Sequence, residues 1–205
     1  MKDVEIEIDD AFEYSIGYKS YWMIAKSIES QKIVEFLKEI ELRKQGIMLK
    51  HINWKVYVLK PFQGWTFIIG EVYAGSSSKQ SVDDIQYILK KLSQQIGEVQ
   101  FFVSDRSVDL YGWSKAIDGN IIQLYINGQS GTYSIGMLPV EEQVIIGKCI
   151  DEESIIRLAE AWSINPLLIP DNKWNNLYKD SLCVVRKKSC NSNKCLKIFQ
   201  IYKTR

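Results

Sequence analysis

The sequence predicts an α+β fold, a largely antiparallel sheet with about three helices packed on it. Three observations carry this expectation. Segments rich in β-branched and aromatic residues follow one another across short turn signals, which favours antiparallel pairing. Amphipathic helical patterns interrupt them. Most of the six tryptophans fall on the expected strands, as bulky core residues would.

The elements read in order as follows. The alternation Val4-Glu5-Ile6-Glu7-Ile8 suits a short strand, and Tyr21-Trp22-Met23-Ile24-Ala25 suits a second. Ser30 reads as the N-cap of a helix to about Arg43, with Ile33, Val34, Phe36, Leu37 and Ile40 on its apolar face and Gly46 as a stop. Asn53 to Leu59 and Trp65 to Gly70 form a hairpin around Pro61 and Gly64, and Gly75 to Ser78 reads as a loop. Ser81 reads as the cap of a helix to Ile96, in which Val82, Ile85, Ile88, Leu89 and Leu92 share one face. Asp83 and Asp84 then fall in its first turn, where the helix dipole favours anions. Gly97 sits at its C-terminal end. Val99 to Val103, Tyr111 to Ile117, Asn120 to Ile126 and Thr132 to Ile135 are expected strands, with Asp118-Gly119 as a hairpin turn. Asp151 caps the last expected helix, whose buried side holds Ile155, Ile156, Leu158, Ala159 and Trp162. Residues 1–171 form one expected domain. Residues 172–205 form a basic, cysteine-containing C-terminal extension, and Leu196 to Tyr202 suits a last strand.

Composition narrows the functional classes. A chain of 205 residues buries enough surface to fold without disulfides or metal. The net charge of +1 supplies no field to attract nucleic acid or an acidic membrane. The acidic N-terminal segment is unlike a secretory leader, and no apolar run approaches the length of a membrane helix, so a cytoplasmic protein with reduced cysteines is expected.

Catalytic signatures are sparse. His51 is the only histidine, which excludes two-histidine sites. Cys149, Cys183, Cys190 and Cys195 lack C-x-x-C spacing, so no metal site is expected. Phosphate-binding glycine loops and the G-x-S-x-G elbow are absent, and no cofactor or catalytic residue is assigned. The basic tail reads as a solvated face or a partner for the acidic N-terminal segment.

Two groups of residues are candidates for contact with a partner or ligand. Asp105 and Arg106 end an apolar strand and shortly precede Trp113, so they suit a binding site. They equally suit a turn in which Asp105 bonds backbone and the two residues pair. Glu141 and Glu142 follow Pro139; they suit a helix first turn, and facing outward they would meet a basic partner.

Several motifs occur together between about residues 50 and 170. Pro61-x-x-Gly64-Trp65-x-x-x-x-Gly70 comes first, then Leu92-Ser93 ahead of Gly97-x-Val99-Gln100-x-Phe102. Arg106, Trp113-x-x-Ala116-x-x-Gly119 and Ala159-x-x-Trp162-Ser163-x-x-Pro166 follow. As a set they resemble a family of uncharacterised bacterial proteins with no established enzymatic activity. Small bacterial proteins of this style often resemble immunity proteins of toxin systems. The resemblance implies a non-enzymatic protein-binding module whose partner is another protein, such as a basic toxin domain. The alternative is a small-molecule binder or enzyme with a pocket near Asp105, Arg106 and Trp113.

Overall fold

The computed structural model describes residues 16, 20–43, 55–70, 76–147, 149–179, 181–191 and 194–203. The expected strand over 4–8, the stop at Gly46 and His51 lie outside them. The first half of the chain gives β1 (Ser20–Ala25), α1 (Ser30–Arg43), β2 (Lys55–Val58), β3 (Thr66–Gly70), α2 (Lys79–Ile96) and β4 (Glu98–Asp105). The second gives β5 (Leu110–Ile117), β6 (Asn120–Gly128), β7 (Gly131–Ile135), α3 (Val140–Ile146), α4 (Glu152–Trp162), α5 (Asp171–Tyr178), β8 (Leu182–Asn191) and β9 (Lys194–Lys203). The strands form a single sheet in the order β7-β6-β5-β4-β1-β3-β2-β8-β9, and each pairing is antiparallel. This is the α+β class that the sequence predicts, with five α-helices among the described residues where about three were expected.

Period-two alternation sends side chains to opposite faces of the sheet, and helices cover both. On one face Met23, Val99, Phe101, Val103 and Ala116 pack with Ile33, Val34 and Leu37 of α1 and Val82, Ile85, Leu89 and Leu92 of α2. On the other, Trp22, Ile24, Phe67, Phe102 and Trp113 pack with Ile146 of α3, Ile155, Leu158, Ala159 and Trp162 of α4, and Leu177 of α5. The second face is the aromatic one. Trp22 stacks on Phe102 at 5.3 Å between ring centroids, Trp162 tilts against Phe102 at 5.7 Å, and Trp174 meets Phe67 edge-on at 5.1 Å. Each large side chain buried this way contributes roughly 1.5–3 kcal/mol by removal from water.

Local chemistry sets the element ends. Helix α2 begins at Lys79, two residues before the expected cap. The Ser78 side chain accepts from the Ser81 backbone N–H, so Ser78 is the cap and Ser81 lies inside the first turn with its hydroxyl 2.9 Å from that of Ser78. Asp83 and Asp84 are therefore past the first turn, and Asp83 pairs instead with Lys79 at 2.8 Å. Asp151 caps α4 as expected, in a reciprocal box with Ser154. Asp118-Gly119 takes the expected two-residue turn, with φ of 48° and 86°.

The short helices α3 and α5 lie where the sequence shows little helical periodicity. Glu141 and Glu142 fall in the first turn of α3, as their dipole reading requires. Beyond residue 171, α5 packs on the aromatic face, and β8 and β9 extend the sheet from β2; the expected last strand over 196–202 lies within β9.

Candidate docking site at the sheet edge

The structure separates the residues that the sequence singles out into two places. Asp105 and Arg106 lie at the β4–β5 connection. The Asp105 carboxylate accepts from the Ser107 N–H at 2.9 Å and from the Ser107 hydroxyl, which is the turn-stabilising role. Arg106 reaches across to α4 rather than to Asp105, with Nη1 3.6 Å from Glu152 Oε2. Its guanidinium is exposed while Glu152 is buried, so the pair sits at the boundary of the core. Burial raises the Tyr111 hydroxyl above its usual range, and the charges of Glu152, Asp109 and Asp151 add to this.

Trp113 sits elsewhere on the same face of the sheet. It stands opposite Tyr125, and the two rings stack. Together they line a cavity of about 360 Å³ between β6, β7 and α3, which Ile146, Ile150 and Leu138 also border. Neither Asp105 nor Arg106 lines it.

Polar residues also line this cavity: Gln123, 7% exposed, with Ser134 and Gln143. The Gln123 Nε2 donates to the Met137 carbonyl at 3.3 Å and to Glu142 Oε2 at 3.4 Å. Two acceptors around Nε2 fix which end of the amide is which. Oε1 is then buried without a hydrogen-bond partner among the described residues. Lys115 is the cross-strand partner of Gln123, and its ammonium lies 4.0 Å above the Trp162 ring. Burial lowers the Lys115 ammonium below its usual range, against the opposing pull of Glu142 and Glu98.

The wall of the cavity is built by a turn that only glycine fits. Gly136 has φ of 69°, and a Cβ there would lie 2.3 Å from the Ile122 carbonyl oxygen. The chain thereby leaves β7 close against β6 and enters α3. This route places Met137, Val140 and Val144 outside the core at 87%, 71% and 76% exposure. Val140 and Val144, four apart, share a face of α3, and Met137, in the segment that leads into the helix, extends this exposed apolar stripe along the chain. Ile135, also exposed, ends β7 beside this stripe.

Strand β7 is one edge of the described sheet. Its residues Gly131-Thr132-Tyr133-Ser134-Ile135 include no charge and no proline. Edge strands generally carry such devices to prevent pairing with another chain. Glu141 is exposed next to the stripe and Glu142 is half-buried under it. The candidate docking residues Met137, Val140 and Val144, and the amide of Gln123, were not legible as a site; their signal is an uncharged strand followed by exposed apolar residues.

No helix among the described residues is long and apolar enough to cross a membrane. No group of three or more His, Cys, Asp or Glu side chains among them is placed to hold a metal ion. No family model matches the chain, and no curated protein and no solved structure is significantly similar to it.

Proposed function

We propose that the protein is a non-enzymatic binding module that docks another protein along β7 and the Met137–Val140–Val144 stripe. One observation carries this reading: an uncharged edge strand continues directly into an exposed apolar stripe. An incoming strand would satisfy the outer backbone groups of β7 while its neighbours bury the stripe. Exposed Glu141, with Glu142 beside it, favours a partner with a basic surface. Neutralisation of a basic toxin domain, the role of an immunity protein, suits this arrangement and the motif set in the sequence.

Site-specific photo-crosslinking tests the proposal. A photoreactive residue at Ser134 or Val144, in cells that naturally make the protein, should capture the same single partner, and one at Lys90 on α2 should not. The captured protein, once purified, should bind this chain, and Val144→Asp should weaken binding at least tenfold. Equal capture from Lys90, or binding indifferent to Val144→Asp, contradicts the reading. Capture of a second copy of this chain replaces it with self-association.

A further inference from the structure

We propose that the cavity over Trp113 and Tyr125 receives an aromatic side chain carried by the partner's docking strand; this rests on the docking reading above. Strand register places a row of rings across the aromatic face of the sheet. Trp22 of β1 stands opposite Phe102 of β4, Phe102 opposite Trp113 of β5, and Trp113 opposite Tyr125 of β6. Trp22 stacks on Phe102 at 5.3 Å and Trp113 on Tyr125 at 4.6 Å between ring centroids. Side chains directly opposite on one face are the pairs that stabilise a sheet. The row breaks off at the next strand, where Ser134 of β7 stands opposite Tyr125. Tyr125 therefore has a ring opposite it on β5 and a small, exposed serine opposite it on β7.

The cavity of about 360 Å³ lies at this break, with Trp113, Tyr125 and Ser134 among its lining residues. Every residue that lines it is uncharged, and most are apolar, among them Met137, Leu138 and Ile146. A charged group brought here would lose water without gaining a counter-charge from the walls, so a neutral occupant matches it. The size is near the lower end for ligand cavities and suits a side chain rather than a large cofactor. A ring gains further from Tyr125, because offset or edge-on ring pairs at roughly 4.5–7 Å between centroids are favourable beyond the area they bury.

Strand addition delivers such a ring from the open side. A residue of an added strand opposite Ser134 would project onto the same face as Ser134 and Tyr125. Its backbone would lie roughly 10 Å from β6, two strand spacings away, so a short side chain such as alanine or valine would stop over Ser134. A phenylalanine, tyrosine or tryptophan is long enough to lean past the serine toward Tyr125. The ring would then continue the row that Trp22, Phe102, Trp113 and Tyr125 begin.

The test uses N-acetyl-phenylalanine-N-methylamide as probe, with its cyclohexylalanine and alanine analogues as controls, followed by side-chain NMR of the full chain. The phenylalanine probe should bind in the millimolar range and shift the Trp113 indole, Tyr125 ring and Met137 methyl signals. The alanine analogue, which has no ring, should bind at least tenfold more weakly. The cyclohexylalanine analogue, similar in bulk but not aromatic, should bind about threefold more weakly. Tyr125→Leu should bring the phenylalanine probe down to the level of the cyclohexylalanine analogue. If that variant does not fold, Leu138→Trp decides: it narrows the cavity from a half-buried lining position and should weaken the phenylalanine probe at least tenfold. Equal binding of the phenylalanine probe and either analogue, no binding of any of the three, or binding unaffected by the deciding variant overturns the proposal. If the probe fails while crosslinking from Val144 still finds the partner, only the aromatic inference falls. If the probe binds while crosslinking fails, the docking reading falls and the partner-borne ring with it.

Discussion

Trp113 and Tyr125 face each other across β5 and β6 with ring centroids 4.6 Å apart and an interplanar angle of 18°. The stack joins two functions of one surface. It seals the aromatic core below and floors the edge cavity above. Trp113→Ala should destabilise the protein by roughly 3–5 kcal/mol, and Trp113→Phe by clearly less. Chemical denaturation measures both; a loss under 1 kcal/mol for the alanine variant would mean that the ring is not core.

Gly112, next to Trp113 on β5 but on the opposite face, lets β5 lie close against β6. A Cβ there would lie 2.5 Å from the Tyr125 carbonyl oxygen, inside any van der Waals contact and against backbone. Gly112→Ala should therefore force the β5–β6 pair apart and cost about 1–3 kcal/mol or more. Denaturation midpoints equal to those of the native protein would contradict the register.

Gln100 provides a contrast with Gln123. It is fully buried, donates to Glu98 at 2.8 Å and to the Trp162 carbonyl at 3.2 Å, and accepts from the Ser163 hydroxyl at 2.7 Å. Its amide ties the C-terminal end of α4 to β4. Gln100→Leu should cost roughly 1–3 kcal/mol because it leaves those groups unpaired. Gln123→Leu should cost less, since its Oε1 has no bond to lose.

Asp151 supplies a pH signature. The Ser154 backbone N–H, aided by its hydroxyl, holds the Asp151 carboxyl below its usual range, against a smaller opposing push from burial. A depressed folded-state value stabilises the fold above the ordinary carboxylate range and is lost as pH falls through the folded value. Asp151→Ala should therefore cost about 1 kcal/mol at pH 7. The gap from the native protein should shrink as pH falls below about 4, the ordinary aspartate value. A gap constant with pH would show that the charge plays no part.

Much of the fold was legible because its signals are local. Alternating Trp22-Met23-Ile24, the spacing of Val82 through Leu92 and the Asp118-Gly119 turn each act within a few residues. The misplaced cap of α2 shows the limit: Ser78 and Ser81 are both good caps, and only the backbone decides which serves. The site was less legible. Trp113 was singled out for its closeness in sequence to Asp105 and Arg106, yet the β4–β5 turn carries those two to the end of the sheet by Glu152. The cavity depends on Gln123, Met137 and Ile146, which come together only when α3 folds back over β6. Exposure of Met137 and Val144 is likewise a tertiary fact, invisible in a chain where most other apolar residues of the described segments are core.

The docking account is tested most directly by amide hydrogen exchange of Gly131–Ile135 with and without the partner captured from Val144. These edge amides should exchange markedly more slowly in the complex, while those of central strands β1 and β4 keep their rates. Unchanged exchange across β7, with protection appearing elsewhere on the surface, would contradict it.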